Sequence, residues 1–432
     1  MPPVLPSTRA AVASATVGLL LVAAAMAVPR WTDEDVRVHW PPLHADWDPR
    51  FGLLSLPAIL VGLTLWLALP RVAGHASWRA LLAYTFAGTW VWTMALAMTE
   101  GTDGLARVFE RPGEYVYDAQ RVDSIGLTLR TFVDRIPMDA PDNWHTHVAG
   151  HPPGALLFFV LLDRLGVTDP FWIGVIVLTI GSTAAVAVLV TLKTLGSERL
   201  ARQATPWLVL APTAVWMGVN GDALFAAVAA WGIAALALAA VHRRPAVAVA
   251  AGLLLGTCVY LSYGLVLLGI LAVAVLVIAG TWRPLPWALA GSAAVAAIFT
   301  VAGFVWWEAY PVLRDRYYDG IASERAYSYW VWADVAAWTF TVGLVVWAAF
   351  PRAIRAFRAG DVMARLAGAA LLTILVATLS GMSKAEVERI WLPFTIWVVA
   401  IPALLPERWH RPALLSQVVL ALLVQHLVLT RW

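Results

Sequence analysis

The sequence predicts an all-α, polytopic membrane protein, and three observations carry that prediction. Of 432 residues, 61% are hydrophobic and only 13% are charged, whereas a soluble domain has about 25% charged residues. The mean hydropathy is +0.74. Apolar runs of membrane-spanning length recur from one end of the chain to the other. A water-facing surface could not be clothed in so little charge, which excludes a soluble multidomain enzyme. The same hydrophobicity excludes a disordered chain. The single cysteine, Cys258, excludes an intramolecular disulfide and a cysteine-based zinc site. A net charge of +3 without a Lys/Arg-rich run points away from nucleic acid.

Apolar runs fall at 10–28, 53–70, 79–98, 170–192, 203–218, 223–241, 246–261, 263–280, 285–306, 334–350, 363–380, 389–405 and 412–429, giving about 13 expected transmembrane helices. The first run follows Arg9 and carries Ala23, Ala24 and Ala25 late in it. No clean cleavage pattern follows, so it reads as an anchored helix rather than a signal peptide. A shorter run, 154–162, follows Pro152-Pro153 and ends at Asp163-Arg164. It would cover about half of a bilayer core. With the N-terminus inside and this segment half-inserted, the inner loops hold 15 bases and three acids, and the outer side 15 bases and 24 acids. If the segment crossed, the basic loops at Arg243-Arg244, Arg352–Arg358 and Arg408–Arg411 would face outward, against the positive-inside rule. The elaborate segments therefore share the outer face: 29–52, 99–153, 218–222, 307–333 and 381–388. The 99–153 loop is too long for a passive connection and has the pattern of interfacial amphipathic helices.

Candidate chemistry lies on that face. Glu100 and Asp103 follow the third apolar run, and Glu114-Tyr115-Val116-Tyr117-Asp118 follows them. Such acids read either as solvated loop charge or as a carboxylate base for an acceptor hydroxyl. Three histidines, His145, His147 and His151, precede Pro152-Pro153. They match no standard zinc spacing, and the alternatives are interfacial rings or phosphate contacts. Asp222 stands where a helix starts, as a cap or facing a cavity. Tyr263 lies between two runs on the same side. The 306–334 segment interleaves Arg316, Arg325 and Tyr329 with other aromatics. That is the pattern of an interfacial belt, and equally of a sugar–phosphate headgroup site. Arg389 opens a late run beside Glu386 and Glu388. It would form a local ion pair or reach a lipid phosphate.

Taken together, the outer acids after a span, the His151-Pro152-Pro153 turn into a short helix, Asp222, and the Glu388-Arg389-Ile390-Trp391 helix start resemble the GT-C superfamily of membrane glycosyltransferases. These use polyprenyl-phosphate sugars, and the likeness is closest to the dolichyl-phosphate-mannose mannosyltransferase group. It spans roughly 79–405. It implies a GT-C-like fold: a 79–405 core with outer loops 99–153 and 307–333, preceded by an N-terminal hairpin 1–78 and followed by a C-terminal helix 406–432. The sequence departs from the family in one respect: Glu100 and Asp103 are separated where an adjacent acidic pair is usual.

The resemblance implies an inverting transfer of a sugar from a lipid-phosphate donor to a hydroxyl of a glycan, lipid or protein. The reaction would take place on the outer face of the cell membrane, in the cell envelope, without metal or cofactor. Asp103 or Glu100, then Glu114 or Asp118, would be the catalytic base. His147, His151, Asp222, Tyr263, Arg316, Arg325, Tyr329, Glu388 and Arg389 would bind substrate. The rival expectation is a transporter or flippase of a lipid-linked or amphipathic solute. The scarcity of ionisable residues within the runs counts against ion-coupled transport.

Overall fold

The computed structural model describes residues 8–218 and 220–430. Residues 1–7, 219, 431 and 432, which the expected 1–78, 218–222 and 406–432 segments include, lie outside the described residues.

The chain is helical almost throughout. In order, the helices are α1 (Thr8–Thr32), α2 (Ser55–His75), α3 (Trp78–Ala97), α4 (Asp103–Glu110), α5 (Tyr115–Ala119), α6 (Ile125–Thr131), α7 (Thr146–Gly150) and α8 (Pro153–Arg164). Then come α9 (Pro170–Leu195), α10 (Glu198–Val209), α11 (Ala214–Met217), α12 (Asp222–His242), α13 (Pro245–Leu261), α14 (Leu268–Ala279), α15 (Leu285–Val301) and α16 (Trp306–Asp319). The last are α17 (Ile321–Glu324), α18 (Tyr327–Val342), α19 (Leu344–Arg358), α20 (Val362–Ser380), α21 (Val387–Ile390), α22 (Leu392–Val398) and α23 (Glu407–Leu427). One short antiparallel ribbon joins β1 (Ala45–Trp47) to β2 (Val428–Thr430), with Ala45 opposite Thr430.

Local chemistry sets the boundaries. Ser77, Ser124, Ser197 and Asp361 each accept a hydrogen bond from the backbone N–H three residues on, capping α3, α6, α10 and α20. Asp169 caps α9 twice, through Phe171 and Trp172. Pro153 supplies the preset φ of a first helical position for α8.

Six helices are long and apolar enough to cross a membrane among the described residues: α1, α2, α3 with its terminal turn, α9, α12 and α20. Two bent pairs, α15 with α16 at 75° and α18 with α19 at 101°, raise the number to eight if each is one span. The chain is an integral membrane protein of the all-α class. The remaining runs take other forms. The 203–218 run divides at residues 210–213, around Pro212, into the end of α10 and the single turn α11. The 389–405 run breaks into α21, α22 and a 3₁₀ turn around Pro393 and Pro402, and α22 is buried along its whole length. Hydropathy alone does not separate a core segment from a span.

The bundle is centred on α9 and α12, while α1 and α2 lie at its periphery. The two helices of the expected 1–78 hairpin pack against different partners. α1 packs on α18 and α19, whereas α2 packs on α3, α10 and α23. Helices α13 and α15 approach through small residues. A Cβ at Gly252 would overlap the Ala288 carbonyl, and one at Gly291 the Val249 carbonyl. The 99–153 segment forms a packed cap of four short helices, with Phe132, Ile136 and Trp144 fully buried beneath it.

Candidate functional site

Four chain segments distant in sequence meet at one end of the bundle: the loop before α5, α7, the first turn of α12, and the turn into α21. At their centre is Arg389. Its Nη1 donates to Asp222 Oδ2 at 2.7 Å, and its Nη2 to Glu386 Oε2 at 2.8 Å and to His147 Nε2 at 3.1 Å. Since a guanidinium only donates, Nε2 of His147 must accept, which places the ring proton on Nδ1. That nitrogen lies 2.5 Å from Glu114 Oε1. Glu386 Oε1 also faces His44 Nδ1 at 3.3 Å and the guanidinium of Arg325 at 3.4 Å. Glu114, Asp222, Arg325 and Arg389 are each about 5% exposed or less, so this is a buried ionic network rather than a surface pairing.

Each acid has a structural reason for its position. Asp222 is the first residue of a 21-residue helix, where the macrodipole favours a carboxylate. Its backbone N–H is held by Asn220 Oδ1 at 3.0 Å. Glu386 depends on an unusual backbone. Ala385 and Glu386 both have positive φ, 68° and 63°, a conformation disfavoured for side chains other than glycine by about 1–2 kcal/mol per residue.

The surroundings enforce that conformation. Asp334 accepts from Ala385 N at 3.0 Å, Arg325 donates to the Lys384 carbonyl at 2.8 Å, and Lys384 N donates to the Tyr317 hydroxyl at 3.1 Å. Lys384 Nζ donates to the Ala322 carbonyl at 2.9 Å. Ala385 is itself buried in a small apolar core with Ala25, Val36, Tyr329 and Trp330. Backbone strain held by so many neighbours is characteristic of functional turns.

The electrostatics follow from burial opposed by charge. Burial disfavours the charged form of both Arg389 and Glu386. For Arg389, the surrounding Asp222, Glu386 and Glu114 outweigh it and raise the guanidinium further. For Glu386, the His44 hydrogen bond and the charges of Arg389 and Arg325 hold the carboxyl well below the usual range. Tyr115 stacks on Phe159 with centroids 5.0 Å apart. Burial, then Asp222 and Glu114, push its phenol well above 10. His151, with Nδ1 on the His147 carbonyl at 2.8 Å and its ring beside Phe225 and Tyr115, is pushed down to about 4, chiefly by burial.

No family model matches the chain, and no curated protein sequence matches it.

Of the residues expected to act, the structure brings Glu114, His147, Asp222, Arg325 and Arg389 into one network, with His151 alongside. Glu388 is buried on α21 one residue before Arg389. Three of the four expected bases, Asp103, Glu100 and Asp118, stand elsewhere. Asp103 lies exposed at the start of α4. Glu100 is held by Arg50 at 2.6 Å and Arg107 at 2.5 Å, and it accepts from Gln425 at 3.2 Å. It braces the end of α3 against α23 and the β1 segment, and its lone pairs are committed there.

Asp118 pairs with His145 at 2.9 Å, a separate dyad that also accepts from the His145 backbone. The three histidines thus diverge onto different partners instead of converging on one point. Arg316 donates to the carbonyls of Ile136 and Trp144, tying α16 to the cap. Tyr329 donates to the Ala25 carbonyl at 2.7 Å, tying α18 to α1. Tyr263 packs on Trp306 and Tyr310. These three are structural contacts.

Sequence reasoning did not single out His44 or Asp334, and it gave Glu386 only as a neighbour with which Arg389 would form a local ion pair. His44 is delivered by the segment that β1 and β2 anchor. Glu386 and Asp334 depend on a turn that no glycine announces.

Proposed function

We propose that the chain is a membrane glycosyltransferase that moves a sugar from a polyprenyl-phosphate donor to an acceptor hydroxyl. The observation that carries this reading is the buried Arg389, held between Asp222 and Glu386 and in hydrogen-bond reach of His147, at one end of a membrane bundle. A guanidinium with two carboxylate partners presents the donor geometry that a phosphate diester also satisfies.

In this reading the donor phosphate displaces Glu386 or Asp222 from Arg389, and Arg325 shares the charge. Glu114, oriented by the Nδ1 proton of His147, takes the proton from the acceptor hydroxyl. The oxygen attacks the anomeric carbon as the sugar–phosphate bond breaks, and the phosphate departs with the electron pair. One-step attack inverts the anomeric centre. General-base catalysis supplies roughly 10²–10⁴-fold of the rate, and charge stabilisation of the leaving phosphate supplies the rest.

The GT-C-like core and the outward orientation at a cell membrane belong to the same reading. The excess of basic residues at the opposite end of the bundle supports that orientation.

The test is transfer of radiolabelled sugar in proteoliposomes supplied with polyprenyl-phosphate-mannose, -arabinose or -glucose and a membrane extract as acceptor source. Wild type and Asp103→Asn should transfer alike. Arg389→Ala should lose transfer by at least about 10²-fold. Full activity in a correctly inserted Arg389→Ala protein would refute the site.

A further inference from the structure

A cavity lies at the other end of the bundle and is independent of the transfer reading. Helices α2 and α23 run antiparallel. Gly62 faces Val418, and Trp66 Nε1 donates to the Arg411 carbonyl at 2.9 Å. Beyond that contact the end of α2, the start of α23 and the start of α10 enclose an open cavity of about 500 Å³. That volume is in the range of ligand sites.

The cavity floor is apolar, formed by Pro70, Ala73, Trp207 and Leu414. Its rim is basic, with Arg199, Arg202, His410 and Arg411. The acid at the rim, Glu198, is already taken. Lys193 lies 2.6 Å from one of its oxygens and Arg202 2.5 Å from the other. Arg202 is further occupied by the carbonyls of Ala73 and Ala76, at 2.9 Å each. Arg199 and Arg411 are exposed, and their side chains have no ion pair or hydrogen bond among the described residues.

An apolar track leads into the cavity from the membrane side. Leu60, Leu63 and Leu67 are exposed on α2 by 62%, 39% and 47%. With Pro70 and Gly74 they continue the three- and four-residue spacing of a single helix face. A basic pocket at the end of an apolar stripe matches one chemistry: a phosphate headgroup with a hydrocarbon chain attached.

We propose that this cavity is a binding site for an anionic phospholipid of the leaflet that the basic loops face. Arg199 and Arg411 hold the phosphate, Trp207 and Leu414 enclose the glycerol region, and one acyl chain lies along Leu67, Leu63 and Leu60. Basic groups near a membrane surface favour anionic lipid by about fivefold each. Two of them define a selective site when they converge on one cavity.

The test uses the full chain in detergent, with retained lipid counted by native mass spectrometry. The probes are phosphatidylglycerol, phosphatidylcholine and glycerol 3-phosphate. Phosphatidylglycerol should be retained at least about fivefold over phosphatidylcholine, and the Arg199→Ala/Arg411→Ala pair should lower its retention by about five- to thirtyfold. The Arg243→Ala/Arg244→Ala pair removes the same charge from the connection between α12 and α13 and should leave retention unchanged.

Gly74→Phe tests the shape of the site without altering charge. A Cβ at Gly74 meets nothing within 4 Å, so the ring should enter the cavity and expel the lipid. It also decides the matter if the arginine pair fails to insert. Equal retention of the two phospholipids, equal loss in both arginine pairs, undiminished retention in Gly74→Phe, or displacement by equimolar glycerol 3-phosphate would each overturn the proposal. The last result would make the ligand a soluble phosphate.

Discussion

The two ends of the bundle use arginine in opposite ways. At one end Arg389 is 5% exposed and fixed between Asp222 and Glu386 by hydrogen bonds of 2.7 and 2.8 Å. At the other end Arg199 and Arg411 lie exposed around an open cavity. The first arrangement is preorganised, with its charge balanced inside the protein. The second is uncompensated charge aimed at whatever the membrane surface offers. Burial sets the difference. A charge taken out of water must be matched within the fold, so a buried arginine specifies its partners, whereas an exposed one leaves that choice to the environment.

The sharpest way to break this comparison is to remove one arginine from each end. Arg389→Leu leaves Asp222 and Glu386 buried without their main cation and should destabilise the protein by about 3–5 kcal/mol. Arg411→Ala should cost less than about 1 kcal/mol. Thermal unfolding in one detergent would compare them. Similar losses would mean that the Arg389 network is not a buried ion-pair system.

The next effect concerns acid. The buried His151 ring takes up its proton only near 4, and the same ring in the unfolded chain does so near 6.5. As pH falls the unfolded chain therefore binds the proton first. The stability contributed by keeping His151 neutral is complete above 6.5 and is lost on the way down to 4. Glu386, held below the usual carboxylate range, acts in the same direction at still lower pH. Unfolding measured between pH 7 and pH 4 should show a steep loss of stability that His151→Phe flattens. An unchanged profile in the variant would assign the acid sensitivity elsewhere.

A smaller effect tests the strained turn. Asp334→Ala removes the acceptor for Ala385 N and should cost about 1–3 kcal/mol. Ala385→Gly relieves the left-handed backbone and should recover about 1 kcal/mol. Additive behaviour of the two changes would mean that Asp334 does not enforce the turn. The smallest effect is expected at Glu100, whose partners Arg50 and Arg107 remain partly solvated. Glu100→Gln should shift stability by about 1 kcal/mol or less and leave the Arg389 network intact.

Much of this was legible in the sequence, for identifiable reasons. Charged residues in a chain with so few of them stand out where helices begin. Asp222 and Arg389 could be picked out that way, as could Glu114 and the His147–His151 stretch. The helical class followed from composition, and the six long apolar helices coincide with runs read directly from hydropathy.

Other features were not legible, because they arise from tertiary contacts. Glu100 and Asp103 stand directly after a span, where a base was expected. Yet Arg50, more than 40 residues earlier, and Gln425, near the other end of the chain, occupy Glu100. Ala385 and Glu386 adopt positive φ without a glycine to announce it. Breaks around prolines 212, 393 and 402 divide apolar runs that otherwise read as full spans, and the buried pieces are protein core. The different packing partners of α1 and α2 likewise could not be read from the chain.

In the proposed reaction the Arg389 network, and not Glu100 or Asp103, performs sugar transfer from a lipid phosphate. The most direct measurement compares Glu114→Gln with Glu100→Gln in the proteoliposome transfer assay, each variant first shown to insert and unfold cooperatively. Glu100→Gln should keep transfer within a few-fold of wild type, and Glu114→Gln should lose roughly 10²–10⁴-fold. Transfer that survives in Glu114→Gln but disappears in Glu100→Gln would contradict that assignment.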